Sequence, residues 1–152
     1  MIRVQREDFD IGAEIEALSG GNNEVGAVAS FVGITRADAG EGAPITAMTL
    51  EHYPAMTEKQ LAAIEAEACE RWNLTASLIV HRHGRLEPGD RIVLVVTAAS
   101  HRRAALDACA FLIDWLKTKA PFWKREETAE GPRWVAARAA DDQAAERWRD
   151  AS

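Results

Sequence analysis

A chain of 152 residues, 47% hydrophobic and 28% charged, has the size of about one domain and enough apolar mass for a real core. Its formal net charge of −6 argues against a general binder of nucleic acid or anionic membranes, so any anion site must be a local basic cluster on an acidic body. The opening MIRVQREDFD has no apolar signal core, and no apolar run approaches the ~18 residues of a membrane span, so the chain reads as soluble, cytoplasmic and one domain over 1–152.

In chain order, IRVQ (Ile2 to Gln5) alternates as a short strand, and IGAEIEAL (Ile11 to Leu18) is a short amphipathic helix stopped by Gly20 and Gly21. VGAVASFVG (Val25 to Gly33) is small, apolar and β-branched, and reads as a buried strand. ITRADAGEGAP (Ile34 to Pro44) holds flexible breakers and reads as a loop. ITAMTLEHY (Ile45 to Tyr53) alternates as a strand, and Pro54 suits the first turn of the helix that runs on to Trp72. TASLIVHRHG (Thr75 to Gly84) and RIVLVVTAAS (Arg91 to Ser100) are strands joined through RLEPGD, with its Pro-Gly-Asp turn. The longest helix is expected from His101 to Ala120, apolar almost all round and ended by Pro121. FWKREET and RWVAA are short extended pieces, and DDQAAERWRD is a polar terminal helix. This order, with hairpin-length links and no glycine-rich phosphate loop, predicts an α+β domain with mainly antiparallel sheet and argues against a doubly wound nucleotide fold.

Lysine usage singles out one stretch. The chain has four lysines, and three of them, Lys117, Lys119 and Lys124, fall in LKTKAPFWKRE. Positive charge elsewhere is almost all arginine, which cannot lose its proton as a desolvated amine can. Lys124 follows Phe122 and Trp123, whose rings are expected to shed water from its amine. Lys117 lies in the last turn of the long helix, where a plain capping role is also open.

A second anomaly is ASHRRA (Ala99 to Ala104). With Ser100 as N-cap, His101, Arg102 and Arg103 occupy a first helical turn, where the dipole disfavours cations. Converging N–H groups and basic side chains there suit an anion, a solvated turn paired with acids elsewhere being the alternative. Arg36, at the end of a strand, reads on its own as a surface charge. His52 reads as a core histidine before a base. His81 and His83 lie two apart on a strand without an evident third metal ligand. Cys69 and Cys109 read as buried, reduced and unactivated thiols.

The motifs MTLEHYPAMTEKQL, HRHGRLEPGD, SHRRA, FLIDWLKTKAPFWKRE and GPRWVAAR run in order over Val25 to Trp148, and together they resemble the large, catalytic subunit of molybdopterin synthase. The resemblance implies a hammerhead-type α+β fold with an additional small sheet. It implies sulfur transfer in molybdenum cofactor biosynthesis, from the C-terminal Gly-Gly thiocarboxylate of a small ubiquitin-like partner to cyclic pyranopterin monophosphate, giving molybdopterin. It further implies a homodimer within a heterotetramer, and neither metal nor redox cofactor. Carried over by motif, the catalytic residues are Lys117 and Lys124. Substrate contacts fall on Ile34, Thr35, Arg36, His101, Arg102, Arg125 and Glu126, as well as on the two lysines. Arg138 is a candidate to reach a site across the dimer, and Lys119 takes a variable position with a surface role. The rival function is a non-catalytic adaptor for a ubiquitin-like tail and an anionic metabolite; the lysine-for-arginine choice at 117 and 124 speaks against it.

Overall fold

The computed structural model describes residues 1–38, 42–119, 121–135 and 139–149, with the side chains of 139–141 left aside. Its elements are β1 (Ile2–Gln5), α1 (Ile11–Ser19), β2 (Ala27–Ile34), β3 (Ile45–His52), α2 (Pro54–Trp72), β4 (Ala76–Arg82), β5 (Gly84–Leu86), β6 (Arg91–Ala99), α3 (Arg102–Thr118), β7 (Phe122–Thr128), β8 (Gly131–Val135) and α4 (Ala139–Glu146). They build an α+β fold with two four-stranded sheets.

The first sheet has the order β1-β4-β6-β2, with β1 parallel to β4 and the other pairs antiparallel. Its central strands are apolar on both faces because helices cover both. Leu78, Val80, Leu94 and Val96 face one side, with Phe9 and the α1 residues Ile11, Ile15 and Leu18. Ile79, Val93 and Val95 face the other, under Leu61, Ile64 and Ala68 of α2 and Phe111, Leu112 and Leu116 of α3. Burying an aliphatic or aromatic side chain of this kind is worth about 1.5–3 kcal/mol, so this two-sided layer dominates the stability. The α4 end is held on the same layer: Trp148 packs edge-on to Trp72 and Phe111, and its Nε1 donates to Asp114 at 2.7 Å.

The second sheet, β5-β3-β7-β8, is wholly antiparallel around Met48, Leu50 and Leu86. Here the fold departs from what the residue pattern predicts. The strand expected to reach Gly84 ends at Arg82, and residues expected to form a simple link make β5 instead. Gly84, at φ 89°, takes a left-handed conformation that other residues avoid, and it turns the chain from the first sheet into the second. Among the described residues, no helix is long and apolar enough to cross a membrane.

Candidate active site

Helix α3 follows β6 and runs back along the sheet, and β2 runs antiparallel to β6, from Ala27 opposite Ala99 to Ile34 opposite Arg91. The last turn of α3 and the exit of β2 therefore share one end of the molecule, and the start of α3 lies at the other. Lys117 is an exposed member of that last turn. Lys124 arrives from the second sheet, cross-strand from Leu50 of β3 and Val135 of β8.

Strand alternation decides which neighbours Lys124 has. Phe122, Lys124 and Glu126 share a face with His52, Leu50 and Met48. Trp123 and Arg125 point the opposite way. Trp123 is 43% exposed and meets Tyr53 edge-on at 4.8 Å, and Arg125 pairs across to Thr49 and Trp134. Of the two rings expected to dry Lys124, only Phe122 is on its side, and Arg125 is parted from Lys124 within the chain. Glu126 is buried and already engaged, its Oε2 accepting from Arg133 Nε and Nη2 at 3.0 and 2.8 Å.

Near enough to both lysines for their charges to act on it lies His81, which the sequence offered only as a weak metal candidate. His81 is 8% exposed on β4, its ring stacked on Phe122 at 3.8 Å and 14°. Its Nδ1 donates to the Arg82 carbonyl at 2.8 Å, which places the proton on that nitrogen, since a carbonyl only accepts. Burial pushes its pKa down to about 3, and the nearby charges of Lys124, Lys117 and His52 push the same way. His52 is partly exposed, shares a hydrogen bond with Thr57 Oγ1 at 3.2 Å, and lies 4.5 Å from the His83 ring. The signal in the sequence was a histidine inside the apolar run ASLIVHR; only the packing of the second sheet against that run gives it meaning.

The exit of β2 completes this end. Ile34 is exposed, and Thr35 is buried and clamped to the 87–90 turn, its N–H donating to the Asp90 carbonyl and its carbonyl accepting from Gly89, both at 2.8 Å. Thr35 Oγ1 is buried with no hydrogen-bond partner among the described residues, and Arg36 is exposed beside it. A Cβ on Gly33 would come 2.8 Å from Val93 Cγ1, so β2 lies tight against β6 there.

At the far end, Gly26, Ser100, His101, Arg102 and Arg103 line a cavity of about 410 Å³. The expected N-cap shifts by one residue: Ser100 is not the cap. His101 is, with extended φ and ψ of −132° and 149° and no side-chain cap bond, so the first helical residue is Arg102. Gly26 lies tight against this turn: its N–H donates to the Ala99 carbonyl at 2.9 Å at the end of β6, and its missing Cβ leaves room for the Ser100 carbonyl. No acidic residue sits in the first turn. From Arg102 to Lys117 the helix advances about 22 Å at ~1.5 Å per residue, so one chain does not bring these two clusters together. Arg138 lies outside the described residues. Both cysteines are free; burial pushes the Cys109 thiol up to about 11, which removes it as a nucleophile near neutral pH.

The family model described as MoaE protein matches residues 4–119. The chain belongs to the MoaE family. The molybdopterin synthase catalytic subunit of Pseudomonas aeruginosa is 56% identical over 149 residues, spanning 98% of this chain and 99% of that protein. A solved MoaE protein of molybdopterin biosynthesis from Burkholderia ambifaria superposes with a TM-score of 0.83 at 53% identity, covering 98% of this chain and 97% of that one. The molybdopterin synthase structure from Staphylococcus aureus superposes at 0.81 with 32% identity, over 88% of this chain and 96% of that one. Lys124 and the second half of the second sheet lie beyond the residues matched by the MoaE family model but within the Pseudomonas alignment.

Proposed function

We propose that this MoaE-family chain is the catalytic subunit of a cytoplasmic molybdopterin synthase, moving sulfur from the C-terminal Gly-Gly thiocarboxylate of a small ubiquitin-like partner to cyclic pyranopterin monophosphate. The observation that carries the reading is that Lys117 of α3 and Lys124 of β7, from separate elements, both lie near enough to the buried His81 for their charges to act on it, with Phe122 of β7 stacked on its ring. Sulfur passes from the acyl carbon of the partner to a substrate carbon, water takes the acyl carbon, and the partner leaves as a carboxylate. Two tails are consumed per dithiolene. Oxyanion charge develops as the acyl group changes hands, and fixed ammonium groups in a partly dry site stabilise it. An amine that gives and regains a proton also serves the addition of sulfur and the departure of water.

Ile34, Thr35 and Arg36 border this end, and the exposed Arg36 guanidinium is a ready contact for an anionic substrate. The cavity at His101 and Arg102 suits an anionic group such as the substrate phosphate. Because about 22 Å of helix separates it from Lys117, both clusters serve one substrate only if two chains build each site. A homodimer with composite sites, each end taking one partner, satisfies that geometry, and Arg138 is a further candidate to act across the dimer. An adaptor would use the anion cavity equally well but has no need of paired amines.

The test is conversion of the cyclic pterin phosphate to molybdopterin by this chain and a thiocarboxylated partner. Lys117→Arg and Lys124→Arg keep charge but not a dissociable amine, and each is expected to lose most turnover while still docking the partner. Near-normal turnover in both variants would leave only a charge role. Trimming the two terminal glycines of the partner should abolish turnover and only weaken docking.

A further inference from the structure

Among the buried groups that the reaction as proposed does not use, His81 stands out. It lies on the helix-covered face of the first sheet, in one cross-strand row with Val4, Val93 and Gly33, where an aliphatic residue would fill the space. Its ring is held from two directions. The Nδ1 hydrogen bond to Arg82 fixes its tautomer and its angle about the side chain, and Phe122 of the second sheet lies flat on its face. Phe122 opens β7 two residues before Lys124, on the same face, and is cross-strand from His52, whose ring is 5.6 Å away. The charged and titratable groups that act on His81 are Lys124 on β7, Lys117 on α3 and His52 at the end of β3. The stack is thus a joint between the sheets, made by the strand that carries Lys124 and near enough to Lys117 of α3 for its charge to act there.

We propose that His81 is a positioning residue: a flat ring on which Phe122 seats the start of β7 and so sets the position of Lys124 relative to Lys117. A displacement of about 1 Å at a reacting group is enough to cost up to ~100-fold in rate, so a joint of this kind matters to turnover without touching substrate. As a platform, the ring needs flatness and volume, not proton exchange. This inference rests on the reading of the lysines as the catalytic pair.

The experiment compares His81→Phe, which keeps a flat ring, with His81→Leu, which fills the same core space without one, and adds Phe122→Leu and the double variant His81→Leu/Phe122→Leu. In the sulfur-transfer assay, His81→Leu is expected to lower kcat about tenfold or more, with KM for the cyclic pterin phosphate within about twofold, and His81→Phe to recover turnover to within about threefold of wild type. The double variant should be no worse than the poorer single one, because both remove the same stack. A second readout needs neither substrate nor partner: mass-spectrometric labelling of amines by an acylating reagent, with exposed Lys59 as internal reference. The Lys124 to Lys59 labelling ratio should change about threefold or more in His81→Leu and stay near wild type in His81→Phe. If His81→Phe behaves like His81→Leu in both readouts, or if His81→Leu alters neither, the platform is refuted. A wild-type chain without turnover would refute the enzymatic reading instead, and the labelling ratio would still decide the joint.

Discussion

Burial keeps the His81 imidazole neutral down to about pH 3, while in the unfolded chain it takes a proton near its ordinary value of 6.5. Between those values the unfolded state holds the extra proton, so stability falls as pH falls through that window and is fully present above it. One such group sets a slope of at most about 1.4 kcal/mol per pH unit. Partly exposed His52 and His83, also lowered chiefly by burial, act in the same direction more weakly. Urea midpoints should therefore drop between pH 7 and pH 4.5 in the wild type and drop visibly less in His81→Phe; parallel declines would remove His81 as the acid-sensitive group. At this scale the sequence singled out the lysines as candidates, because a Lys-for-Arg choice is a chemical statement that needs no coordinates. It did not disclose His81, or that Trp123 and Arg125 turn away from Lys124, because those depend on which face of β7 meets the first sheet.

At the scale of elements, the turn before α3 is the part most exposed to single changes. A Cβ at Gly26 would stand 2.0 Å from the Ser100 carbonyl oxygen, a backbone atom that yields only if β2 and the turn separate. Gly26→Ala should cost about 1–3 kcal/mol, as overpacking does, read as a lower melting temperature, and it should weaken phosphate binding at the adjoining cavity; an unchanged melt would show that the turn has slack. Arg102→Ala works the other way. Without an anion, a cation in the first helical turn is unfavourable by about 0.3–1 kcal/mol, so the ligand-free variant should melt no lower than wild type. With substrate present, it should lose about 1–3 kcal/mol of binding, the worth of a charge-assisted hydrogen bond; a clear loss of stability in the ligand-free melt would mean that Arg102 holds the fold together. Periodicity and breakers located most helices and strands to within a residue or two. They missed β5, since three residues that begin at a left-handed glycine carry no periodic signal, and they misplaced the α3 cap by one residue, since the close approach of Gly26 to the turn after β6 joins residues far apart in sequence.

At the scale of the whole molecule, one helix sets the problem that assembly must solve. α3 carries Arg102 at its start and Lys117 in its last turn, about 22 Å apart, more than a single pterin phosphate spans. If each site takes its anion cluster from one chain and its lysines from the other, inactive variants should rescue each other. Chains bearing Arg102→Ala and chains bearing Lys117→Ala, each inactive alone, are mixed, dissociated in mild denaturant and allowed to reassociate. Half of the resulting dimers are mixed, and in a two-fold dimer each mixed pair has one site with both defects and one site with neither, so turnover should return to about a quarter of wild type. Sites built within single chains would place one defect in every site, and the mixture would stay as inactive as its parents. Mixing without the dissociation step supplies the control, because recovery should then wait on subunit exchange and rise only as dimers trade chains.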